Sequence, residues 1–205
     1  MRDIKVVAFD CDGVMFDTVK ANTAYYNQIL KHFGRPAMTA EQIAYSHMHT
    51  ADQSIAKLFE DEKSIQAAQA FRKKMSYLPF IDDMVIAPDL KPLIQRLRPR
   101  YKTAVATNRS DTMDRVITEH NLEGYFDLVV SACDVKRPKP YPDPLLKILE
   151  FFKIDAGNLI YIGDSQLDEE AARAAGVIFI AYQNTALSAA LHITRLNEIE
   201  NILWA

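Results

Sequence analysis

The sequence predicts an α/β fold, a Rossmann-like parallel sheet flanked by helices, with a small all-helical cap inserted after the first strand. Three observations predict it. Ile4 to Phe9 is nearly all apolar and contains two valines, the signature of a strand buried on both faces. Four further short apolar runs alternate with helical patterns, which implies right-handed crossovers and a parallel sheet. Between them, the stretch from about Asp17 to Asp82 carries almost no strand signal. The division expected is therefore residues 1–16 and 83–205 as the catalytic core and 17–82 as the helical cap.

Taken in order, the strand candidates after Ile4–Phe9 are Ala104-Val105-Ala106, Leu128-Val129-Val130, Leu159 to Ile162 and Val177 to Ile180. Ser110 to His120 reads as a helix with Ser110 as N-cap and Asp111 in its first turn. Asp143-Pro144 opens the next helix, with Pro144 suited to the first helical position. Gln166 to Ala175 ends at Gly176, the expected left-handed residue. In the inserted stretch, Tyr26, Ile29, Leu30 and Phe33 recur at helical spacing until Gly34 and Pro36. Ile55, Leu58 and Phe59 mark a second helix, and Ala67, Ala68, Phe71 and Met75 a third. An insert placed just past a strand's C-terminal end overhangs the crevice where open α/β sheets bind ligands, which makes it a candidate lid.

Composition narrows the class. The chain has 205 residues, 49% of them apolar and 25% charged, enough to bury a core. Its net charge of −3 offers no basic surplus for nucleic acid or an anionic membrane surface. Cys11 and Cys133 form neither a metal motif nor a disulfide framework, which fits a reduced cytoplasm. The N-terminal apolar run is too short for a signal peptide or a membrane span. Nothing in the residues specifies an oligomeric state.

Four patterns fall at the ends of four predicted strands. The first is Asp10-Cys11-Asp12-Gly13. Successive strand side chains alternate faces, so both acids reach one crevice only if the strand ends at Asp10 and Gly13 turns the chain. Asp10 would then be the attacking carboxylate. Asp12, kept at least partly protonated, would donate a proton to a leaving alkoxide and later take one from water. The second is Thr107-Asn108, a hydroxyl and a backbone N–H suited to a phosphoryl oxygen. The third is the stiff run Lys136-Arg137-Pro138-Lys139-Pro140, whose rigidity would fix a lysine between a carboxylate nucleophile and an incoming phosphate. The fourth is Gly163-Asp164-Ser165-Gln166-Leu167-Asp168, two acids four residues apart at a strand end and in the first turn of a helix. Such acids balance a helix dipole, and they also suit a hard cation such as Mg²⁺.

Together these patterns give a nucleophile, a hydroxyl, a lysine and a metal acid, each after its own strand. In this the chain resembles the haloacid dehalogenase-like hydrolase superfamily, in its phosphoglycolate phosphatase and β-phosphoglucomutase-like branch, over essentially its whole length. The resemblance implies Asp10 as nucleophile, Asp12 as general acid/base, Thr107 as the phosphate-binding hydroxyl with Asn108 adding a backbone N–H, and Lys139, rather than Lys136, as the lysine. It implies Mg²⁺ held by Asp10, by Asp12 through its backbone carbonyl, and by Asp164, with Asp168 as a second acid near the metal. The implied reaction is hydrolysis of a small phosphorylated metabolite through an aspartyl-phosphate. Dehalogenating members resemble this fold but lack the second Asp, so Asp12 argues for phosphate chemistry.

Two other readings compete. A phosphomutase would use the same site and return phosphate to a second sugar hydroxyl. A phospho-receiver module also carries Asp, Thr/Ser and Lys on successive strands, but places its phosphorylated Asp on a middle strand and has no insert after the first. Several residues read more plainly. His47-x-His49 has the wrong spacing for one helix face. Cys11 reads as a small hydrophobe, and Tyr25, Tyr26, Phe33, Phe59 and Phe71 as packing residues. Arg109 reads equally well as a phosphate contact or as a solvated or structural arginine.

Overall fold

The computed structural model describes residues 3–204. Strand β1 (Val6–Phe9) ends at the turn before β2 (Phe16–Asp17). Helices α1 (Val19–His32), α2 (Ala40–Met48), α3 (Ala51–Leu58), α4 (Glu62–Arg72) and α5 (Leu78–Ile81) follow, and the chain returns through β3 (Val85–Ile86). The remainder runs α6 (Leu90–Leu97), β4 (Lys102–Ala106), α7 (Met113–Glu119), β5 (Leu128–Val130), α8 (Asp143–Phe152), β6 (Leu159–Gly163), α9 (Gln166–Ala175), β7 (Ile178–Tyr182), β8 (Leu191–Ile193) and α10 (Ile199–Leu203).

Six strands form one parallel sheet in the order β5-β4-β1-β6-β7-β8. The α/β, Rossmann-like class is therefore correct. Every residue of β1 is buried, and the pleat explains why both faces are apolar. Val7 and Phe9 enter a core shared with α6, α7 and the helical segment, while Val6 and Ala8 enter a second core beneath α8 and α9. Strand β1 lies between β4 and β6, with Phe9 level with Val105 and Ile162. The chain runs from β1 outward to β4 and β5 and then crosses back to β6 on the other flank of β1, so the carboxyl ends of β1, β4 and β6 open on one crevice.

Local boundaries shift for identifiable reasons. Helix α7 begins at Met113 with Thr112 as N-cap, not at Ser110. Ser110 Oγ instead donates to Asp111, and both Asp111 oxygens accept from Arg72 Nη1. Helix α8 begins at Asp143 with Pro142 as its cap, so Pro144 falls one position later than its preferred one. Helix α9 matches its expected span, and Gly176 caps it at φ +71°. Strands β2 and β3 pair antiparallel, Phe16 with Ile86 and Asp17 with Val85, where the chain enters and leaves the helical segment. Among the described residues no helix is long and apolar enough to cross a membrane.

Candidate functional site

The end of β1 is fixed by its backbone. Asp10 N–H donates to Ile162 O at 2.9 Å, which continues the ladder one residue past the strand. The chain then reverses: Met15 and Phe16 N–H both donate to Cys11 O, and Gly13 sits at φ +87°. That conformation suits glycine, and space demands it as well. A Cβ on Gly13 would collide with the Asp164 carboxylate, and one on Gly163 would collide with the Asp168 side chain. The Gly13→Ala variant is expected to displace Asp164 and lower phosphate release at least about 100-fold, the order of loss that follows a shift of about 1 Å at a reacting centre. Steady-state rates beside a melting curve will separate this from misfolding.

Lys139 is the hub of the site. Its ammonium is buried and lies 2.8 Å from Asp10 Oδ1, 2.6 Å from Asp168 Oδ1 and 2.8 Å from Tyr161 Oη. Its main chain is clamped by one side chain: Asn108 Nδ2 donates to Lys139 O, and Lys139 N–H donates to Asn108 Oδ1, both at 2.9 Å. The Asn108 amide also donates to Met48 O at 3.0 Å, across to the helical segment. Asn108 was expected to offer a backbone N–H; its side chain proves to be the device that places the lysine. Thr107 is buried beside it, its hydroxyl oxygen accepting Arg109 N–H at 3.0 Å. Its own N–H is taken by Val130 O, which leaves the hydroxyl as the group it can offer.

Carboxylate oxygens of Asp10, Asp164 and Asp168 lie within 4.8 Å of one another. Asp168 is the most committed of the three. It occupies the third position of α9, where it forms a capping box with Ser165, and Lys139, Tyr161 and Ser165 together engage both its oxygens. Burial and neighbouring acids, Asp168 foremost among those acting on Asp164, push the Asp10 and Asp164 carboxyls well above the ordinary range, against the pull of Lys139. One lysine therefore does not satisfy this cluster. An oxygen-only donor set with surplus acid, and two glycines keeping its floor clear, fits a hard divalent cation.

Asp12 stands apart from that group. Both its oxygens face Arg109, with Nε at 3.1 Å from Oδ2 and Nη2 at 2.5 Å from Oδ1. Burial alone would raise the Asp12 carboxyl, but the guanidinium outweighs it and holds the group down at about 2. The partly protonated Asp12 expected from the sequence is thus fully ionised in this arrangement. Arg109 is itself buried and gripped by further residues: Thr112 Oγ1 at 3.1 Å, Asn22 Oδ1 at 3.3 Å and Tyr77 Oη at 3.4 Å. Tyr77 and Asn22 are joined at 2.8 Å, and Asn22 donates to Asp12 at 3.2 Å. The structure pairs Arg109 with Asp12 rather than leaving it solvated.

The helical segment closes over these groups. Arg72, buried on α4, makes a bidentate pair with Asp111 at 2.9 Å. His47 brings Nε2 to 3.9 Å from Asp164, while its buried Nδ1 has no hydrogen-bond partner. His49 stacks on Tyr45 and lines the same cavity as His47. Beneath the segment lies a cavity with about 40 Å³ of room for water, lined in part by Asp10, Asp12, Arg109, Tyr25 and His47. Tyr25 and Tyr26 thus line this cavity as well as packing, whereas Phe33, Phe59 and Phe71 serve packing alone. Cys11 is buried, and burial pushes its thiol well up, as befits an inert side chain.

Comparison with known proteins agrees with this geometry. A phosphoglycolate phosphatase from Aquifex aeolicus is 26% identical over 175 residues, covering 84% of this chain and 82% of its own. A relative from Caldanaerobacter subterraneus, provisionally named pyrophosphatase PpaX, is 30% identical over 189 residues, covering 90% and 84%. The crystal structure of a Geobacter sulfurreducens HAD-superfamily hydrolase of subfamily IA is 36% identical and superimposes with a TM-score of 0.79, covering 98% of this chain and 96% of that one. The sequence profile of the haloacid dehalogenase-like hydrolases matches residues 7–182, and the chain belongs to that family.

Proposed function

We propose that this enzyme hydrolyses a small phosphomonoester in a Mg²⁺-dependent reaction through an aspartyl-phosphate on Asp10, with residues 17–82 acting as the cap of a core made of 1–16 and 83–205. The class is phosphatase, on which the family match and the names of its phosphoglycolate phosphatase relatives agree. The observation that carries the reading is the Lys139 ammonium set between Asp10 and Asp168 at the meeting point of three strand ends. The phosphoglycolate phosphatase relatives support a small phosphomonoester as the substrate.

Asp10 attacks phosphorus in line. Lys139 neutralises the meeting of two anions, and Thr107 donates its hydroxyl to a phosphoryl oxygen, with an Asn108 N–H as a second donor. Asp10 and Asp164, with Asp12 contributing its carbonyl and Asp168 close by, are the residues that would hold Mg²⁺. Bound there, the ion supplies further charge neutralisation for the transferring group. Asp12 is ionised beside Arg109, so it must first take up a proton from solvent as Arg109 yields a contact; it passes that proton to the leaving oxygen and, ionised again, takes one from water in the second step.

The test is phosphate release from a panel of small phosphoesters with Mg²⁺ and after exhaustive chelation. A mutase would return an isomeric sugar phosphate instead of free phosphate, and a receiver module would hold its phosphoryl group for hours. Chelation is expected to abolish turnover; full activity without a divalent ion overturns the reading. A pH dependence follows from the same cluster. The Asp10 and Asp164 carboxyls are raised on folding, so the metal-free protein binds more protons than its unfolded chain. Its stability therefore falls as pH rises above the ordinary carboxylate value of about 4, and the full cost is reached only above the raised values. Added Mg²⁺ is expected to raise the melting temperature more at pH 8 than at pH 6, which thermal melts at the two pH values will check.

A further inference from the structure

Arg109 is the one arginine among the described residues in direct contact with Asp12, the proposed acid/base, and its geometry poses a chemical problem. A carboxylate with a guanidinium on both oxygens presents neither of them squarely to an ester. For Asp12 to reach the leaving oxygen, Arg109 must give up at least one of its two contacts, and the freed N–H is buried and needs another acceptor. Nη2 also reaches Asn22 Oδ1 and Tyr77 Oη, and Nη1 reaches Thr112 Oγ1, whereas Nε has Asp12 as its only acceptor among the described residues, so the contact given up by Nε leaves an unpartnered N–H. The new acceptor has to come with the substrate.

The surroundings say what kind of acceptor it is. Arg72, the other buried arginine of the cavity, is balanced by two acids, Asp111 and Asp52, and contacts Gln69 besides. Arg109 has Asp12 as its only acidic partner among the described residues. Its far nitrogen is held in place by Thr112, and its plane lies over the Tyr77 ring, 5.0 Å from the centroid, so the head group stays at the cavity wall when one contact is exchanged. A planar fork kept in this way matches a carboxylate or a phosphate two-pronged. It contacts Asp12, the group assigned to the leaving oxygen, and not Asp10 or Lys139, which puts it on the side of the leaving fragment.

We propose that Arg109 is a specificity-determining residue: it releases Asp12 to grasp an anionic group on the leaving fragment, so that the site selects phosphoesters whose leaving group is itself charged. The inference rests on the phosphatase reading above. Carboxylate and phosphate share the required chemistry, and two substrates tell them apart.

The experiment measures kcat/KM with saturating Mg²⁺ for 2-phosphoglycolate, pyrophosphate and the uncharged-leaving-group analogue ethyl phosphate, in the wild type, Arg109→Gln and Arg109→Lys. The wild type is expected to favour at least one charged substrate over ethyl phosphate by about tenfold or more, the scale of a charge-assisted contact. The better of the two identifies the carboxylate or the phosphate as the group held. In Arg109→Gln this ratio is expected to collapse toward one, and Arg109→Lys, which keeps the charge but not the fork, to restore it in part. A wild type without the preference, or a variant that loses the same factor on all three substrates, overturns the inference and leaves Arg109 a positioning residue for Asp12. A wild type inert toward every phosphoester sinks the phosphatase reading and this inference with it. Should Arg109→Gln fail to fold, the ratio in Arg109→Lys decides: an unchanged ratio overturns the proposal and a reduced one supports it.

Discussion

Asp10→Asn is expected to lower phosphate release by about 10⁴-fold or more while leaving the fold intact. The amide keeps the size and one acceptor of the side chain but is no nucleophile, and losing the attacking group of a covalent mechanism removes nearly all turnover. The fold survives because Asp10 is in surplus where it stands. Three acids face one lysine here, and Asp10's carboxyl is raised by burial and by Asp168. Neutralising it relieves that repulsion, so metal-free Asp10→Asn should melt no lower than the wild type at pH 8, whereas its Mg²⁺-induced gain in melting temperature should shrink. Rates and melting curves on one preparation check both halves. Near-normal activity would refute the nucleophile assignment.

Lys139→Met is expected to damage both fold and activity. The ammonium is buried on all sides and satisfies Asp10, Asp168 and Tyr161 at once. Removing one partner of a buried charge cluster costs about 3–5 kcal/mol, because the charges left behind have no solvent. For a chain of this size that is a fall in melting temperature on the order of 10 °C. The double variant Lys139→Met with Asp168→Asn should recover part of the loss, since the stranded acid is gone, yet recover no activity, since nothing then offsets the negative charge of Asp10 and an arriving phosphate. Melting temperatures and phosphate release for the two variants test this; a double variant no more stable than the single one would show that Lys139 acts through packing.

The parallel sheet was legible because its central strands are buried on both faces and read as unbroken apolar runs. Strand β8 was not, because Leu191 and His192 are exposed and its run is short. Strands β2 and β3, two residues each, hold no periodicity to detect. Helix α6 carries Leu90, Leu93, Ile94 and Leu97 at helical spacing, but Pro92 in its first turn disguises it. At the site, Asp10, Asp12 and Asp164 stood out because acids directly after apolar strands are poor core builders, and Lys139 stood out because prolines stiffen the basic run that carries it. The partners that orient them did not. Tyr161 looks like one more large residue of β6, and Asn22 and Tyr77 look like ordinary residues of a helical stretch. What makes them matter is contact across tens of residues, as between Asn108 and Lys139, and no spacing rule encodes it. Arg109 was ambiguous for the same reason: its partner is Asp12, 97 residues away.

The pairing of β2 with β3 has a mechanical outcome. The outgoing and returning chains cross between sheet and helices at one spot, bonded to each other through Phe16 with Ile86 and Asp17 with Val85. Two separate tethers would let the helices wobble about many axes. A doubled ribbon is stiff against twist and shear and bends easily in a single direction. If residues 17–82 act as the cap proposed above, this ribbon would channel their opening into one swing that returns His47 and the Met48 carbonyl to the same spots above the strand ends.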